Sequence, residues 1–368
     1  MNHFRLPSSR SRRRFLQWSG AALAGVALSS CRRTFTDVQS GSETGGDSNT
    51  LRIYTWAGYT DDELLENFRE ATGIQVVADV FDSNETMLAR MQAGGGNTYS
   101  IIYPSDYMVQ QMIELDMLMQ LDPSQVTGLD TLLAKFQTLP GNEYSVPAVW
   151  GTTGLIYNAK TLQPNPTDWD DLWSNQSKLA RKLTLSNDVR EVLGASLRSL
   201  GYSYNSTNPQ EIEEAYEKLL ELRPAIVNFT TDGWQDLILS GDVLASMAYS
   251  SDAIQVMEEN PDLAYIIPSS GSSLWVDTMA IPKTAPNPEA AYAWLNFVLE
   301  PSNLARIAER LKFATTSQAA IAQLPDELRQ NKNLYPDEAL LTKCEEIAPL
   351  DEETVELYDR YWTQLTSV

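Results

Sequence analysis

The side chains best suited to hold a ligand fall at the carboxyl ends of predicted strands, and most of them are aromatic rings or carboxylates. In open α/β sheets, ligands bind beyond the carboxyl ends of the strands, so residues at these positions are expected to meet. The candidates are Trp56, Tyr59, Ser105, Tyr107, Asp188, Glu191, Tyr249, Trp275 and Asp277. The only basic residue among these positions is Arg190. Carboxylates pair with ammonium groups and each aromatic face attracts a cation by roughly 0.5–2 kcal/mol, so this combination predicts a site for a long organic cation.

Each of these side chains also has a purely structural interpretation. Asp188 and Glu191 lie three residues apart at the start of a predicted helix, where acidic residues stabilise the helix dipole. Trp56 and Trp275 are large apolar side chains, for which packing in the core is the commoner role. Asp277 is different because it lies within an apolar run, where a carboxylate is expected to be buried and to need partners.

The composition excludes several kinds of catalytic and metal centre. The 368-residue chain has one histidine, His3, and two cysteines, Cys31 and Cys344. With no imidazole beyond the N-terminal segment, Ser-His-Asp and Cys-His nucleophile systems and His-ligated metal sites are excluded. The formal net charge of −22 argues against nucleic acid and anionic membrane surfaces as partners. We therefore expect neither a metal ion nor a cofactor.

The first 30 residues have the features of an export signal. A basic block at residues 11–17 precedes an apolar run at residues 21–28 that is too short to span a bilayer. The block resembles a twin-arginine signal, and Leu28-Ser29-Ser30-Cys31 resembles a lipobox in which Cys31 becomes the acylated first residue. The alternative is an ordinary signal peptide followed by an unmodified cysteine. Residues 31–49, rich in Ser, Thr and Gly, predict a flexible tether.

Strands and helices alternate along the rest of the chain. Predicted strands at 51–56, 74–80 and 100–103 are separated by helices, and this order indicates a parallel sheet covered by helices. Thr60-Asp61-Asp62-Glu63 predicts a capping box at the start of the first helix, and Gly73 predicts its left-handed end. Further strands are predicted at 154–157, 182–185, 243–249 and 275–281. Two α/β units that face a cleft fit this order best.

Seven segments of the chain are more specific than any single motif. They are Trp56-Ala57-Gly58-Tyr59, Phe81-Asp82-Ser83-Asn84-Glu85-Thr86-Met87, Pro104-Ser105-Asp106-Tyr107, Val146-Pro147-Ala148-Val149-Trp150-Gly151, Asp188-Val189-Arg190-Glu191-Val192, Trp275-Val276-Asp277-Thr278-Met279-Ala280-Ile281-Pro282 and Leu334-Tyr335-Pro336-Asp337. Together they resemble the spermidine/putrescine-binding proteins of bacterial polyamine ABC importers, which are periplasmic solute-binding proteins. The resemblance extends from about Leu51 to near the C-terminus.

The resemblance implies an α/β fold of the type II periplasmic-binding-protein kind, with a ligand cleft between two α/β domains joined by hinge crossovers. The expected domains are residues 50–153 plus 278–321 and residues 154–277 plus 322–368. The implied function is non-catalytic: the protein captures spermidine, putrescine or spermine and delivers it to an ABC transporter permease. We expect a periplasmic monomer that needs no cofactor and is attached to the membrane only through a lipidated Cys31.

The resemblance also implies roles for individual residues. Trp56, Tyr59, Tyr249 and Trp275 would form an aromatic box around the polyamine. Asp188, Glu191 and Asp277 would hold its ammonium groups. Ser105, Tyr107 and Thr231 would add polar contacts.

Several positions depart from the pattern of that family. Tyr249 replaces a tryptophan, Ala57 replaces a polar residue and Phe313 replaces a tyrosine. A glutamine near the C-terminus of the family has no clear counterpart around Glu346, whereas Asp106 adds a carboxylate. These changes leave the preferred polyamine length open.

Other classes of function are alternatives. An exported glycosidase would use Asp188 and Glu191 as an acid–base pair. A chemosensory receptor would bind a partner other than a permease, an anion receptor would place helix N-termini or basic residues at the cleft, and an iron receptor would offer paired tyrosines. Glu345 and Glu346 are expected on a solvated face.

Overall fold

The structure is a computed structural model that describes residues 49–81 and 83–367. The predicted export signal at residues 1–30, the predicted lipidation site Cys31 and the predicted tether up to residue 48 lie outside the described residues, as do Asp82 and Val368. None of the helices within the described ranges is both long enough and apolar enough to cross a bilayer.

The described residues contain eleven strands and fourteen α-helices. The strands are β1 (Thr50–Trp56), β2 (Gln75–Phe81), β3 (Ile101–Ile102), β4 (Ser145–Asn158), β5 (Leu183–Leu185), β6 (Ile226–Phe229), β7 (Ala245–Tyr249), β8 (Leu263–Ile266), β9 (Ser273–Ala280), β10 (Ala314–Thr315) and β11 (Glu345–Glu346). The longer helices are α1 (Asp62–Thr72), α2 (Asn84–Gln92), α3 (Asp106–Glu114), α5 (Val189–Ser199), α6 (Pro209–Leu222), α7 (Trp234–Ser240), α8 (Ser250–Glu259), α9 (Pro288–Leu299), α10 (Pro301–Leu311) and α14 (Glu352–Thr366). The four-residue helices are α4 (Asp171–Ser174), α11 (Gln318–Ile321), α12 (Asp326–Arg329) and α13 (Glu338–Leu341).

The helix boundaries follow local chemistry, with one difference from the sequence prediction. The cap of α1 is Asp61 rather than Thr60: its carboxylate accepts the Leu64 backbone N–H at 2.7 Å. The predicted capping box is therefore wrong by one residue, because the carboxylate of Asp61 takes the exposed helix amide. Gly73 ends α1 at φ 75°, in the left-handed region that the sequence predicted. Ser83 caps α2, and its hydroxyl accepts the Thr86 backbone N–H at 3.1 Å.

The strands form one continuous sheet in the order β2-β1-β3-β9-β4-β7-β5-β6. Strands β1, β2 and β3 pair in parallel, as do β5, β6 and β7. The two parallel groups are joined by β4 and β9, which pair antiparallel with each other. Strand β4 is much longer than the predicted strand at 154–157, because its first half pairs with β9 and its second half pairs with β7 and β8.

Buried apolar side chains form two large clusters, which define two lobes. Lobe 1 is built on β1–β3, α1–α3, α9 and α10, with Phe68 and Trp294 at its centre. Lobe 2 is built on β5–β7, α5, α6 and α14, with Trp169 and Tyr358 at its centre. Strand β4 runs from one cluster into the other, whereas the apolar side chains of β9 belong to the cluster of lobe 1. The start of β9 nevertheless reaches lobe 2, because Ser273 bonds to Glu191 and Trp275 contacts Tyr249, so side chains on β9 are placed where the lobes meet. The predicted residue boundaries of the two domains stay a prediction.

Candidate functional site

Strand β9 carries two of the predicted ligand residues on one face. Trp275 and Asp277 are two residues apart, so both side chains project from the same side of the strand. Gly151 of β4 lies opposite Trp275 in the ladder, and a Cβ atom at this glycine would overlap the indole ring. The glycine therefore makes room for the indole beside the sheet.

Asp277 joins three segments of lobe 1. Its Oδ1 accepts a hydrogen bond from the Ser105 hydroxyl at 2.7 Å, and its Oδ2 accepts one from the Tyr59 hydroxyl. Tyr59 follows β1, and Ser105 precedes α3. The Asp277 side chain is 7% exposed, and this burial raises its pKa to about 6 even though both hydrogen bonds lower it. Asp277 is thus a buried carboxylate with two neutral donors, and neither donor neutralises its charge.

A row of aromatic rings leads from Asp277 into lobe 2. The ring of Trp275 meets Tyr249 at a centroid distance of 5.9 Å and Phe313 at 5.7 Å, both edge to face. Phe313 lies 5.2 Å from Tyr59. The resulting row Tyr249–Trp275–Phe313–Tyr59 brings three of the four predicted box residues together and adds a phenylalanine.

Trp56, the fourth predicted box residue, has its ring contact with Phe81 of lobe 1 and not with the row. Its ring lies 4.4 Å from Phe81. The Nε1 atoms of both Trp56 and Trp275 are buried and have no hydrogen-bond partner within the described ranges. Two half-buried indoles with unsatisfied donors are unusual in a core, because a buried N–H normally finds an acceptor.

Asp188 and Glu191 lie at the start of α5, as the sequence predicted, but they have different surroundings. Asp188 caps the helix and accepts the backbone N–H groups of Arg190 at 2.8 Å and Glu191 at 3.1 Å. Burial nevertheless raises the pKa of Asp188. Asp188 thus has a structural role at the start of α5, as its interpretation in terms of the helix dipole required, but as the helix cap itself. A second role is compatible with this one, because no ion pair of Asp188 is found within the part of the chain that the structure describes.

Glu191 is more deeply buried and is surrounded by hydroxyl groups. Its carboxylate accepts hydrogen bonds from Thr153 at 2.9 Å, from Ser273 at 2.8 and 2.9 Å, and from Tyr204 at 3.0 Å. Burial, followed by repulsion from Asp188, raises the pKa of Glu191. Glu191 therefore contributes negative charge to the site while its oxygens are held by the protein.

The charge of Asp188 in lobe 2 acts on side chains of lobe 1. The Tyr107 hydroxyl donates to Glu85 Oε1 at 3.1 Å, and the charge of Asp188 raises the pKa values of both Tyr107 and Glu85. The two lobes therefore interact electrostatically at this end of the site.

Thr231, the remaining predicted polar ligand, lies in lobe 2, and its hydroxyl is 3.4 Å from that of Ser186.

Four polar residues at the site were not among the predicted ligand residues. Asn84 bonds to Ser105, and Glu85 bonds to Tyr107. Asp252 lies in the first turn of α8, where burial raises its pKa to about 6. Asp106 is 6% exposed, and burial raises its pKa well above the usual range. Asn84 and Glu85 belong to the segment 81–87, one of those that carried the resemblance. Their membership of that segment could have indicated that they lie at the site.

The basic residue of the site is directed away from its carboxylates. Arg190 donates to Ala348 O at 3.0 Å and to Asn205 Oδ1 at 2.9 Å, so its guanidinium is held by neutral acceptors.

The expectation that Glu345 lies on a solvated face is wrong, because its carboxylate forms an ion pair with Arg198 at 2.8 Å and accepts from Ser203 and Tyr204. Within the described ranges no group of three or more His, Cys, Asp or Glu is arranged to hold a metal ion.

The site therefore combines aromatic faces with several buried carboxylates whose charges are not neutralised. Such an arrangement favours an organic cation, because a cation lowers the cost of the buried negative charge while its methylenes contact the rings. An anion would add to the repulsion. The lobes contribute to the site from both sides, so a bound solute would contact both.

Comparison with known proteins identifies relatives along almost the whole chain. The sequence profile of the family described as bacterial extracellular solute-binding protein matches residues 63–336. The chain is 33% identical over 353 residues to the spermidine/putrescine-binding periplasmic protein of Salmonella typhimurium, across 95% of this chain and 98% of that protein. It is 36% identical over 295 residues to the protein of the same name from Escherichia coli, across 79% of this chain and 84% of the relative.

A solved structure agrees with these likenesses. The spermidine/putrescine ABC transporter substrate-binding protein PotD from Streptococcus pneumoniae superposes with a TM-score of 0.78 at 38% identity, across 87% of this chain and 99% of that structure. The two-domain α/β fold of periplasmic binding proteins, predicted from the sequence, is confirmed.

Proposed function

The chain belongs to the bacterial extracellular solute-binding proteins, and we propose that the solute it captures is a polyamine such as spermidine, putrescine or spermine. The observation that carries the proposal is the row of rings between two groups of buried carboxylates. Asp277 lies at one end of the row Tyr249–Trp275–Phe313–Tyr59. The charges of Asp188 and Glu191 act on Tyr249 at the other end. A polyamine has the matching order of ammonium, methylenes and ammonium.

The energetic reason is the charge that the site leaves uncompensated. Burial is the largest cause of the raised pKa values of Asp277, Asp188 and Glu191. Each ammonium group that enters removes part of this cost. The methylenes between ammonium groups add about 0.8 kcal/mol for each CH₂ buried against the rings. A neutral or anionic solute of the same length gains at most the contribution from methylenes buried against the rings, because it cannot compensate the buried negative charge.

Isothermal titration calorimetry of the purified protein tests this proposal. Putrescine, cadaverine, spermidine and spermine are titrated separately, with an amino acid as the control for a solute that also carries a carboxylate. We expect saturable one-to-one binding of at least one polyamine and no binding of the amino acid. A flat response to all four amines contradicts the proposed ligand class.

We further propose that the captured polyamine is delivered to an ABC transporter permease and is not converted. Support for the absence of chemistry comes from Glu191, whose two oxygens already accept hydrogen bonds from three hydroxyl groups. A general acid or base needs a free oxygen that points at the substrate. Incubation of the protein with excess polyamine, followed by mass spectrometry, should return the amine unchanged.

The N-terminal segment completes the proposal. Residues 1–30 act as a twin-arginine-type export signal, and Cys31 becomes lipidated and anchors a monomer at the membrane. The support is the sequence alone: paired arginines before a short apolar run, and the segment Leu28-Ser29-Ser30-Cys31. Residues 31–49 would then separate the lipid from β1 as a flexible tether.

A further inference from the structure

Asn84 is a buried polar residue that touches the site without being one of its ligand residues. It is the first residue of α2, is 6% exposed, and lies against the segment that connects β3 to α3. Its side chain forms two hydrogen bonds with one residue, Ser105. The Ser105 backbone N–H donates to Asn84 Oδ1 at 3.1 Å, and Asn84 Nδ2 donates to Ser105 Oγ at 3.0 Å.

The direction of these bonds follows from the donors available. A backbone N–H can only donate, so the atom of Asn84 that faces the Ser105 amide must be the carbonyl oxygen. The amide nitrogen is thereby turned toward the Ser105 hydroxyl. The hydroxyl has a single proton, and because Oγ accepts from Asn84, that proton remains for Asp277 Oδ1, which lies 2.7 Å away. Each bond in the series determines the direction of the next.

We propose that Asn84 is a positioning residue that directs the Ser105 hydroxyl proton toward Asp277 and so holds this carboxylate ionised for an ammonium group. The role in ligand capture rests on the proposed function, whereas the effect on Asp277 itself does not. The predicted result is a receptor whose principal buried carboxylate keeps two donors, Tyr59 and Ser105, in place before the solute arrives. Asn84 acts only through Ser105.

The titratable groups around Asp277 come from four elements. Tyr59 follows β1 and donates to the carboxylate, and Tyr103 lies after β3 against the Tyr59 ring at 5.7 Å. Asp106 on α3 and Asp252 on α8 add negative charge: Asp277 raises the pKa of Asp106, and Asp252 raises that of Tyr59. None of these neighbours is a cation, and the contributions that lower the Asp277 pKa against the effect of burial are the hydrogen bonds from Tyr59 and Ser105. Its ionised form therefore depends on its hydrogen-bond donors.

A double-mutant cycle with Asn84→Ala and Ser105→Ala tests the proposal. The readout is the pKa of Asp277 in the ligand-free protein, followed by ¹³C NMR of the labelled carboxyl group. Loss of a hydrogen bond to a charged group corresponds to about one pKa unit or more, so Ser105→Ala should raise the Asp277 pKa by about one unit. Asn84→Ala should raise it in the parent protein and leave it unchanged in the Ser105→Ala background.

Spermidine affinity at about pH 7 gives the second readout. It distinguishes failure of the positioning role of Asn84 from failure of the proposed ligand. Asn84→Ala should weaken binding by about twofold in the parent and not further in Ser105→Ala, since a one-unit rise of the Asp277 pKa lowers its ionised fraction at pH 7 from about nine-tenths to about one-half. Equal effects of Asn84→Ala in both backgrounds, or no effect on the Asp277 pKa in the parent, would overturn the positioning role. If the parent binds no amine while the NMR cycle holds, the proposed ligand is wrong and the positioning role stands.

Asn296→Ala is the matched control. Asn296 on α9 likewise uses both ends of its amide to hold a loop of lobe 1: its Oδ1 accepts the Thr127 backbone N–H at 2.7 Å and hydroxyl at 3.1 Å, and its Nδ2 donates to Gln125 O at 2.9 Å. Its removal should lower the melting temperature to a similar extent without moving the Asp277 pKa. A shift of the Asp277 pKa in both variants would show that general loosening, rather than Asn84, is responsible.

Discussion

Replacement of Asp277 by asparagine should affect binding and stability in opposite directions. Asparagine keeps the shape of the side chain and removes the charge that faces the ammonium group. Truncation of one partner of a buried charge pair typically costs about 2–5 kcal/mol, which is a loss of affinity of roughly 30- to 5,000-fold. We therefore expect polyamine binding by Asp277→Asn to be weaker by at least about 30-fold in calorimetry, with little dependence on salt.

The same substitution should stabilise the ligand-free protein. The pKa of Asp277 is raised from 3.8 to about 6, so ionisation of the folded protein near pH 7.5 costs about 3 kcal/mol relative to the unfolded chain. This cost is fully present above about pH 6 and disappears as the pH falls toward 4, because the carboxyl is then protonated in both states. A gain of 3 kcal/mol in a chain of this length raises the melting temperature by about 4 °C. Differential scanning calorimetry at several pH values measures the gain.

Asp130→Asn is the matched control, since Asp130 is an exposed carboxylate on lobe 1. It should alter the affinity by less than about threefold and leave the melting temperature unchanged. If the negative charge of the whole protein attracted polyamines diffusely, both variants would weaken binding slightly and added salt would abolish the difference. A lower melting temperature for ligand-free Asp277→Asn, combined with nearly unchanged affinity, would refute the assignment of Asp277 as a buried ammonium partner.

Three further outcomes follow from the same structure. Polyamine affinity should fall between about pH 8 and about pH 5, because the raised pKa values of Asp277 and Glu191 mean that protons compete with the cation. Calorimetry in buffers of different ionisation enthalpy should detect proton release on binding between about pH 5 and about pH 7, and little release near pH 8. Small-angle scattering should show a smaller radius of gyration with polyamine as the lobes close, and an unchanged radius would exclude a hinge movement. Cys31→Ser should release the protein from membranes, and replacement of Arg12 and Arg13 by lysine should reduce export, both measured by cell fractionation and immunoblotting; membrane association of Cys31→Ser would argue against lipidation.

The order of the helices and strands was predictable because single residues, or short local patterns, mark where many of them begin and end. The end of α1 at Gly73 follows from a single residue that adopts the left-handed conformation readily. The length of β4 did not follow in the same way. Residues 145–153 contain Pro147 and Gly151, which argue locally against a strand, and the segment is extended because β9 supplies its hydrogen-bond partners. That partner lies more than a hundred residues later in the chain, so no local pattern reports it.

For the site, residues on strand ends were predictable, whereas the residues that hold them were not. The period of two placed Trp275 and Asp277 on one face, and burial of Asp277 followed from its apolar neighbours. The hydroxyl donors around Glu191, from Thr153, Ser273 and Tyr204, come from three distant segments. Hydrogen bonds between side chains from distant segments produce no periodic pattern in the sequence, so they could not be predicted from it. A polar residue such as Asn84 therefore looks like any other helix-start residue until its partner is known.

The buried carboxylates also explain how one site can favour amines over other solutes of similar length. Folding places Asp277 and Asp252 where burial raises each pKa to about 6. Near pH 7 the empty site therefore holds carboxylates that are ionised at a cost in free energy. That cost is released only by a solute that supplies positive charge at those positions. An amino acid brings one ammonium and one carboxylate, so its gain at one end of the row of rings is offset at the other. Selectivity for polyamines therefore depends on the contacts that the site offers and equally on these carboxylates having no ion pair with a basic side chain among the described residues.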